Sequence, residues 1–251
     1  MQLETLGLLE RGELRKAAID CGFDIVQEEP AWVAAASTHA PLKVWLGRVP
    51  HGVVAGLSMA AVRAELHAGA EVAVSPPAPA AACWLVFDGV AALDATLLHA
   101  WQLSRALPNE LEREFQQRVA TVSATERDAT VKQRIGQDLF REGLMVLWEG
   151  RCAISGLDEP SLLRASHALP WAQASDAERL DVFNGLLLAA HLDAAFDSGL
   201  LAIDEDGTVL LSPRLSSATT EALAVRPGAR VRLSAGHARY LGWHRLNKFR
   251  R

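Results

Sequence analysis

Residues 165–197 read ASHALPWAQASDAERLDVFNGLLLAAHLDAAFD, and this stretch decides the fold. It opens on His167, followed by Pro170 and Trp171, and passes the pair Asn184-Gly185. It ends in a segment carrying His191, Asp193 and Asp197. The pattern predicts a strand, a connecting loop, a second strand and a helix closing over a metal ion. Asp193 and Asp197 stand four residues apart, a spacing that puts both carboxylates on one face of a helix. Taken singly, these features are ordinary. Asn-Gly between apolar runs is a common hairpin turn. A lone histidine more often sits in a core or on a surface than acts as a base, and aspartates at this spacing often face water.

Four pieces of the chain are read together: GRCAISG at 150–156, ASHALPW at 165–171, NGLLL at 184–188 and HLDAAFDSG at 191–199. They resemble the HNH nuclease motif in its zinc-free subgroup, and their order and spacing favour the functional reading over the ordinary one. The resemblance implies a ββα-metal centre. In it His167 is the general base, a task suited to a side chain that titrates near neutral pH. Asn184 would fix the loop carrying that base. The family's metal positions fall on Asp193 and Asp197, and two carboxylates favour a hard cation, one Mg²⁺ or Mn²⁺ per site. Two departures stand out. The residue before the base is Ser166, a weak ligand where relatives carry an acid or a histidine, and Asp193 stands where many carry histidine. His191 is the further candidate ligand. Relatives with a structural zinc use two cysteine pairs. Here those places read Cys152 with Ser155, then Ala189 with Leu192. One cysteine cannot build a tetrahedral site, so no structural zinc is expected and apolar packing should replace it.

The rest of the chain sets the context. Its 251 residues, half of them apolar, suffice for two modest domains. No apolar run reaches membrane-span length, and the start lacks an uninterrupted apolar segment of signal-peptide type. Three widely separated cysteines suit a reducing cytoplasm. The division expected is a small α/β or α+β domain over residues 1–115 and an α+β HNH domain over 116–251. Residues 1–115 carry 8 Lys/Arg against 14 Asp/Glu, and the remainder 17 against 16. An acidic N-terminal region is not built for non-specific grip on phosphate. Its Trp32, Trp45, Trp84 and Trp101 suit core packing. The alternative is an aromatic pocket for a flipped, modified base, a layout analogous to restriction nucleases with an N-terminal reader.

Helices are expected over residues 6–21, 58–68, 94–107, 130–148 and 217–224. Strands are expected over 23–27, 31–36, 42–49, 82–87 and 230–233, with a hairpin over 200–211. Residues 75–82 should form a loop, and a soft joint should lie near 121–129. Arg141, with Arg134 and Gln137, lies on the 130–148 helix, in a Q-x-x-F-R segment similar to one in the family. It would contact phosphate or brace the core. Arg164 and Arg179 are candidate phosphate clamps. The tail, HARYLGWHRLNKFRR, interleaves Arg245, Lys248 and other cations with aromatics. That pattern suits a DNA backbone or an amphipathic helix docked on the domain.

The activity implied is metal-dependent hydrolysis of DNA phosphodiesters to 5′-phosphate products, in restriction or other defence. The expected partner is double-stranded DNA, with base-modified DNA as one form. Cutting two strands calls for two sites, which suits a homodimer. The alternatives are an effector nuclease gated by a ligand or partner that the N-terminal domain senses, and an inactive DNA-binding module.

Overall fold

The computed structural model describes residues 1–66, 68–75, 78, 80–121 and 129–251. The joint expected near residues 121–129 therefore falls almost wholly outside the described residues. The chain divides into two compact units, Met1–Arg105 and Ala106–Arg251. The division comes earlier than residue 115 because the helix after Pro108 packs within the second unit, where Leu111 and Val182 both crowd Gly143. Among the described residues no helix is long and apolar enough to cross a membrane.

The first unit is a six-stranded sheet in the order β1-β2-β3-β4-β6-β5, every pair antiparallel. The strands are β1 (Ile25–Glu28), β2 (Trp32–Ala36), β3 (Lys43–Val49), β4 (Gly52–Leu57), β5 (Ala70–Glu71) and β6 (Cys83–Phe87). The helices are α1 (Leu8–Asp20), α2 (Ala60–Glu65) and α3 (Val90–Ala106). An antiparallel sheet with separate helices makes this unit α+β rather than α/β. Side chains alternate across the sheet. One face buries Trp45, Val49, Val54 and Trp84 with Leu3 and Val74, and Trp32 packs against that cluster. Trp101 donates from Nε1 to Ser37 Oγ at 3.1 Å and lies on Gly22. Packing thus accounts for the four N-terminal tryptophans.

Strand β4 has no counterpart among the expected elements, because its sequence, GVVAGL, carries two glycines that weaken a strand reading. Their reason is spatial. A Cβ on Gly52 (φ +151°) would meet the Phe87 carbonyl at 2.3 Å, and one on Gly56 would meet the Trp84 ring at 3.0 Å. The converse miss is residues 230–233, expected as a strand. Beyond the single bridge of Arg230 to Thr208 the segment forms no ladder.

The second unit begins with α4 (Pro108–Thr121) and α5 (Ala129–Leu147). Glu149 and Gly150, both with positive φ, end the turn after α5. The decisive stretch then folds as β7 (Leu163–His167), a loop containing α6 (Asp176–Leu180), β8 (Gly185–Ala189) and α7 (Ala190–Asp197). Helix α6 was not expected, although its capping box was legible: Ser175 accepts from the Glu178 amide and Glu178 returns the bond. The hairpin β9 (Leu201–Ile203) and β10 (Val209–Leu211) follows, then α8 (Ser217–Ala222) and α9 (Ala238–Asn247). The tail docks through α9. His244 stacks on Phe196 at 3.8 Å and bonds to its carbonyl at 2.9 Å. Gly199 (φ +71°) lets the tail backbone pass so closely that a Cβ there would sit 2.0 Å from the Lys248 carbonyl.

Candidate active site

Strands β7 and β8 pair antiparallel with Leu163 opposite Ala189 and His167 opposite Gly185. His167 therefore stands at the end of a two-stranded ribbon whose other end runs into α7. Asn184-Gly185 is not a hairpin turn here. Gly185 is extended, and its missing side chain makes room: a Cβ would meet Phe140 Cζ and the Ser166 carbonyl, both at 2.5 Å. Phe140 uses that room to stack on the His167 imidazole, 3.7 Å between centroids and 15° from parallel. Trp171 meets the same imidazole edge-on at 5.7 Å. Two aromatic rings therefore fix the ring plane.

A carbonyl fixes the tautomer. His167 Nε2 lies 3.0 Å from the Arg179 carbonyl oxygen, which only accepts. Nε2 must carry the hydrogen, and Nδ1 is left with its lone pair. Burial lowers the His167 pKa below its ordinary 6.5, although the Arg179 carbonyl and the charge of Asp197 oppose that. The imidazole is thus neutral near pH 7, in the form a general base requires.

Asn184 is wholly buried and knots the intervening loop. Its Oδ1 accepts from the Leu169 amide at 2.8 Å. Its Nδ2 donates to the Glu178 carbonyl at 2.9 Å, and its own carbonyl accepts from Ala168 at 2.9 Å. The loop leaving His167 is tied at both ends to one side chain.

The acidic side of the site lies on α7. Burial raises the Asp193 pKa, the neighbouring Ser166 hydroxyl lowers it, and Asp197 raises it again. Ser166 is buried, and its Oγ has no partner of hydrogen-bonding geometry among the described residues, close as it lies to Asp193. The side chains of Asp193, Asp197 and Ser166 offer oxygen donors only, the chemistry that Mg²⁺ or Mn²⁺ prefers. His191 does not join them. It is exposed, and two residues along a helix turn it about 200° away from Asp193. Among the described residues no three His, Cys, Asp or Glu side chains gather as a ligand group.

The candidate cations lie in different settings, and Arg141 fills the bracing one of its two expected roles. Arg141 donates to the carbonyls of Leu163 and Pro160, both at 2.8 Å, and so braces the start of β7. Arg179 donates from Nε to the Trp171 carbonyl at 3.0 Å and from Nη1 to Asp176 Oδ1 at 2.7 Å. Arg245 donates to the Ile203 carbonyl at 2.9 Å and pairs with Glu205, its side chain only 13% exposed. These three guanidiniums hold protein to protein through backbone carbonyls and carboxylates. Arg164 is exposed, anchored by one nitrogen to the Ser161 and Leu163 carbonyls, and its charge reaches Asp193. Lys248 pairs with Asp197. Phe140, the Arg179 carbonyl and the Lys248 contact were not read from the sequence. The phenylalanine had a signal, as the F of the Q-x-x-F-R segment.

Where relatives place zinc, Cys152 is buried and its sulfur accepts from the amides of Ser155 at 3.4 Å and Ala189 at 3.2 Å, beside the buried Leu192. No curated protein matches the chain. The HNH endonuclease family model matches residues 152–204, which run from that cysteine through the base, the knot and the acidic helix to the hairpin. This segment is an HNH endonuclease domain, a kind of domain that implies nuclease activity on DNA.

Proposed function

We propose that the protein is a divalent-cation-dependent endonuclease that hydrolyses DNA phosphodiesters in restriction or another defence against foreign DNA. The observation that carries this reading is the His167 clamp. A neutral imidazole with Nε2–H committed to a carbonyl offers Nδ1 as the proton acceptor. In this mechanism Nδ1 takes a proton from water, and the hydroxide attacks phosphorus. The bond to the 3′ oxygen breaks, leaving a 5′-phosphate. The Arg179 carbonyl steadies the imidazolium that forms, and the charge of Asp197 favours the same form. Phe140 and Trp171 keep the ring from turning away. Asp193, Asp197 and the Ser166 hydroxyl would hold the cation, which supplies positive charge against the phosphate and the leaving oxygen when bound.

The acidic first unit stands as the reader or sensor in this reading. The test is plasmid cleavage in Mg²⁺ or Mn²⁺, with EDTA and with His167→Ala, on unmodified and cytosine-modified DNA. Cutting lost in EDTA and in the variant supports the proposal. A variant that cuts at the wild-type rate overturns the role of His167.

A further inference from the structure

Beside the base, in the second unit, α4, α5 and α6 enclose a cavity of about 350 Å³. Its volume is within the range of ligand sites, about 300–1,000 Å³. Trp171 forms one wall, and Phe115 and Val119 add apolar surface. Gln116, Gln133 and Lys132 supply polar lining, with Asp176 and Arg179, which pair with each other, at one side. The Trp171 wall is rigid. Its tip lies against α5 where only glycine fits, since a Cβ on Gly136 would be 2.7 Å from Cη2. The Arg179 guanidinium sits over the indole, 5.1 Å from the ring centroid, and bonds to the Trp171 carbonyl.

The chemistry of this lining is selective. Flat aromatic and aliphatic walls suit the faces of a π system. Each glutamine amide offers both a donor and an acceptor, which matches the edge of a nucleobase. Lys132 suits a phosphate attached to it. The position is selective as well, because the ring that walls the cavity also touches the His167 imidazole. A group held here lies next to the place where His167 would activate water. We propose that this cavity receives an unstacked nucleobase of the DNA strand being cut, adjacent to the scissile phosphate. The nuclease unit then reads a base itself. This rests on the nuclease reading above. It also moves aromatic base recognition from the N-terminal tryptophans to Trp171.

The experiment is binding of fluorescent short duplexes in EDTA, fully paired or with one mismatch, alongside plasmid cleavage in Mg²⁺. Taking a base out of the stack is cheapest at a mismatch. The mismatched duplex should therefore bind about tenfold tighter. Val119→Trp, which fills the cavity, should bring the two affinities within about twofold of each other. Gln133→Leu, a milder change on an exposed helix face, should lower the preference while the circular dichroism spectrum stays that of the wild type. Equal binding of both duplexes by the wild type, or a preference that survives in a folded Val119→Trp, overturns the base pocket. If plasmid is still cut in that case, the nuclease reading stands alone. A protein that neither binds nor cuts DNA overturns both.

Discussion

Lys248 Nζ lies 3.2 Å from Asp197 Oδ1, so a cation from the tail rests on a carboxylate of the candidate metal site. Its backbone is seated there by Gly199, and its side chain is only 25% exposed, against 60% for Asp197. The ammonium and a divalent ion compete for one anion. Lys248→Ala should therefore strengthen Mn²⁺ binding. A half-exposed pair is worth roughly 0.2–1 kcal/mol, so the gain is about 1.4- to fivefold in Kd. Calorimetric titration of Mn²⁺ into both proteins measures it. Unchanged or weaker binding would remove Asp197 from the ligand set.

The pH profile should follow His167. Its pKa is below 6.5 because burial disfavours the imidazolium, and a bound cation nearby pushes in the same direction. The base works only when neutral. Activity should be level from pH 7 upward and fall on the acid side at a pH below 6.5. A kcat/KM profile across pH 5–8 reads this. His167→Ala should lower the rate by about 10²–10⁴ across that plateau. An acid limb above pH 7 would contradict the buried, carbonyl-clamped imidazole.

Asn184→Ala leaves the Leu169 amide and the Glu178 carbonyl without their partner in a buried place. Unsatisfied buried groups make this costly, about 2–4 kcal/mol in total. Denaturant unfolding should show the loss. Cleavage by the folded fraction should fall too, because the loop beyond His167 loses its tie. Asn184→Asp keeps the acceptor for Leu169 but turns an anion toward the Glu178 carbonyl, so it should not rescue.

Two other histidines predict an acid-sensitive second unit. His237 and His244 are buried, and burial is the main reason both pKa values fall to about 4. The unfolded chain takes up their protons below about pH 6.5, and the folded chain resists until about pH 4. The folded state thus binds fewer protons in that window, and its stability falls as pH drops through it. Each histidine contributes about 3 kcal/mol of loss between pH 7 and pH 4. Melting temperatures at pH 7 and pH 4.5 should differ strongly, and less so in His244→Phe, which retains a ring for Phe196 to stack on. Equal pH dependence in that variant would count against His244.

Most elements of the first unit were legible, and so was the motif of the second. Its ribbon and helix come from a local pattern in which each polar residue interrupts an apolar run at a meaningful point. The sheet of the first unit hides β4 behind Gly52 and Gly56, whose purpose appears only when Phe87 and Trp84 are in place. Arginine use was not legible. Arg179 and Arg245 look like DNA contacts in the sequence, and Arg141 like a contact or a brace, yet each meets a backbone carbonyl in the folded chain. A guanidinium suits either task, and only the position of the acceptor decides. Likewise Gly185 reads as half of a turn but serves the approach of Phe140, a residue far away in the chain.

The Asn184 knot has a consequence for how such an enzyme can change over time. The loop between β7 and β8 is secured at its ends, by strand pairing and by one amide spanning Leu169 and Glu178. Its exposed positions, such as Ala172, Gln173 and Ala177, are therefore free to vary in sequence without moving the base. Selection can redraw the surface beside the site while the base stays fixed, so that surface can drift without passing through forms in which the base is displaced.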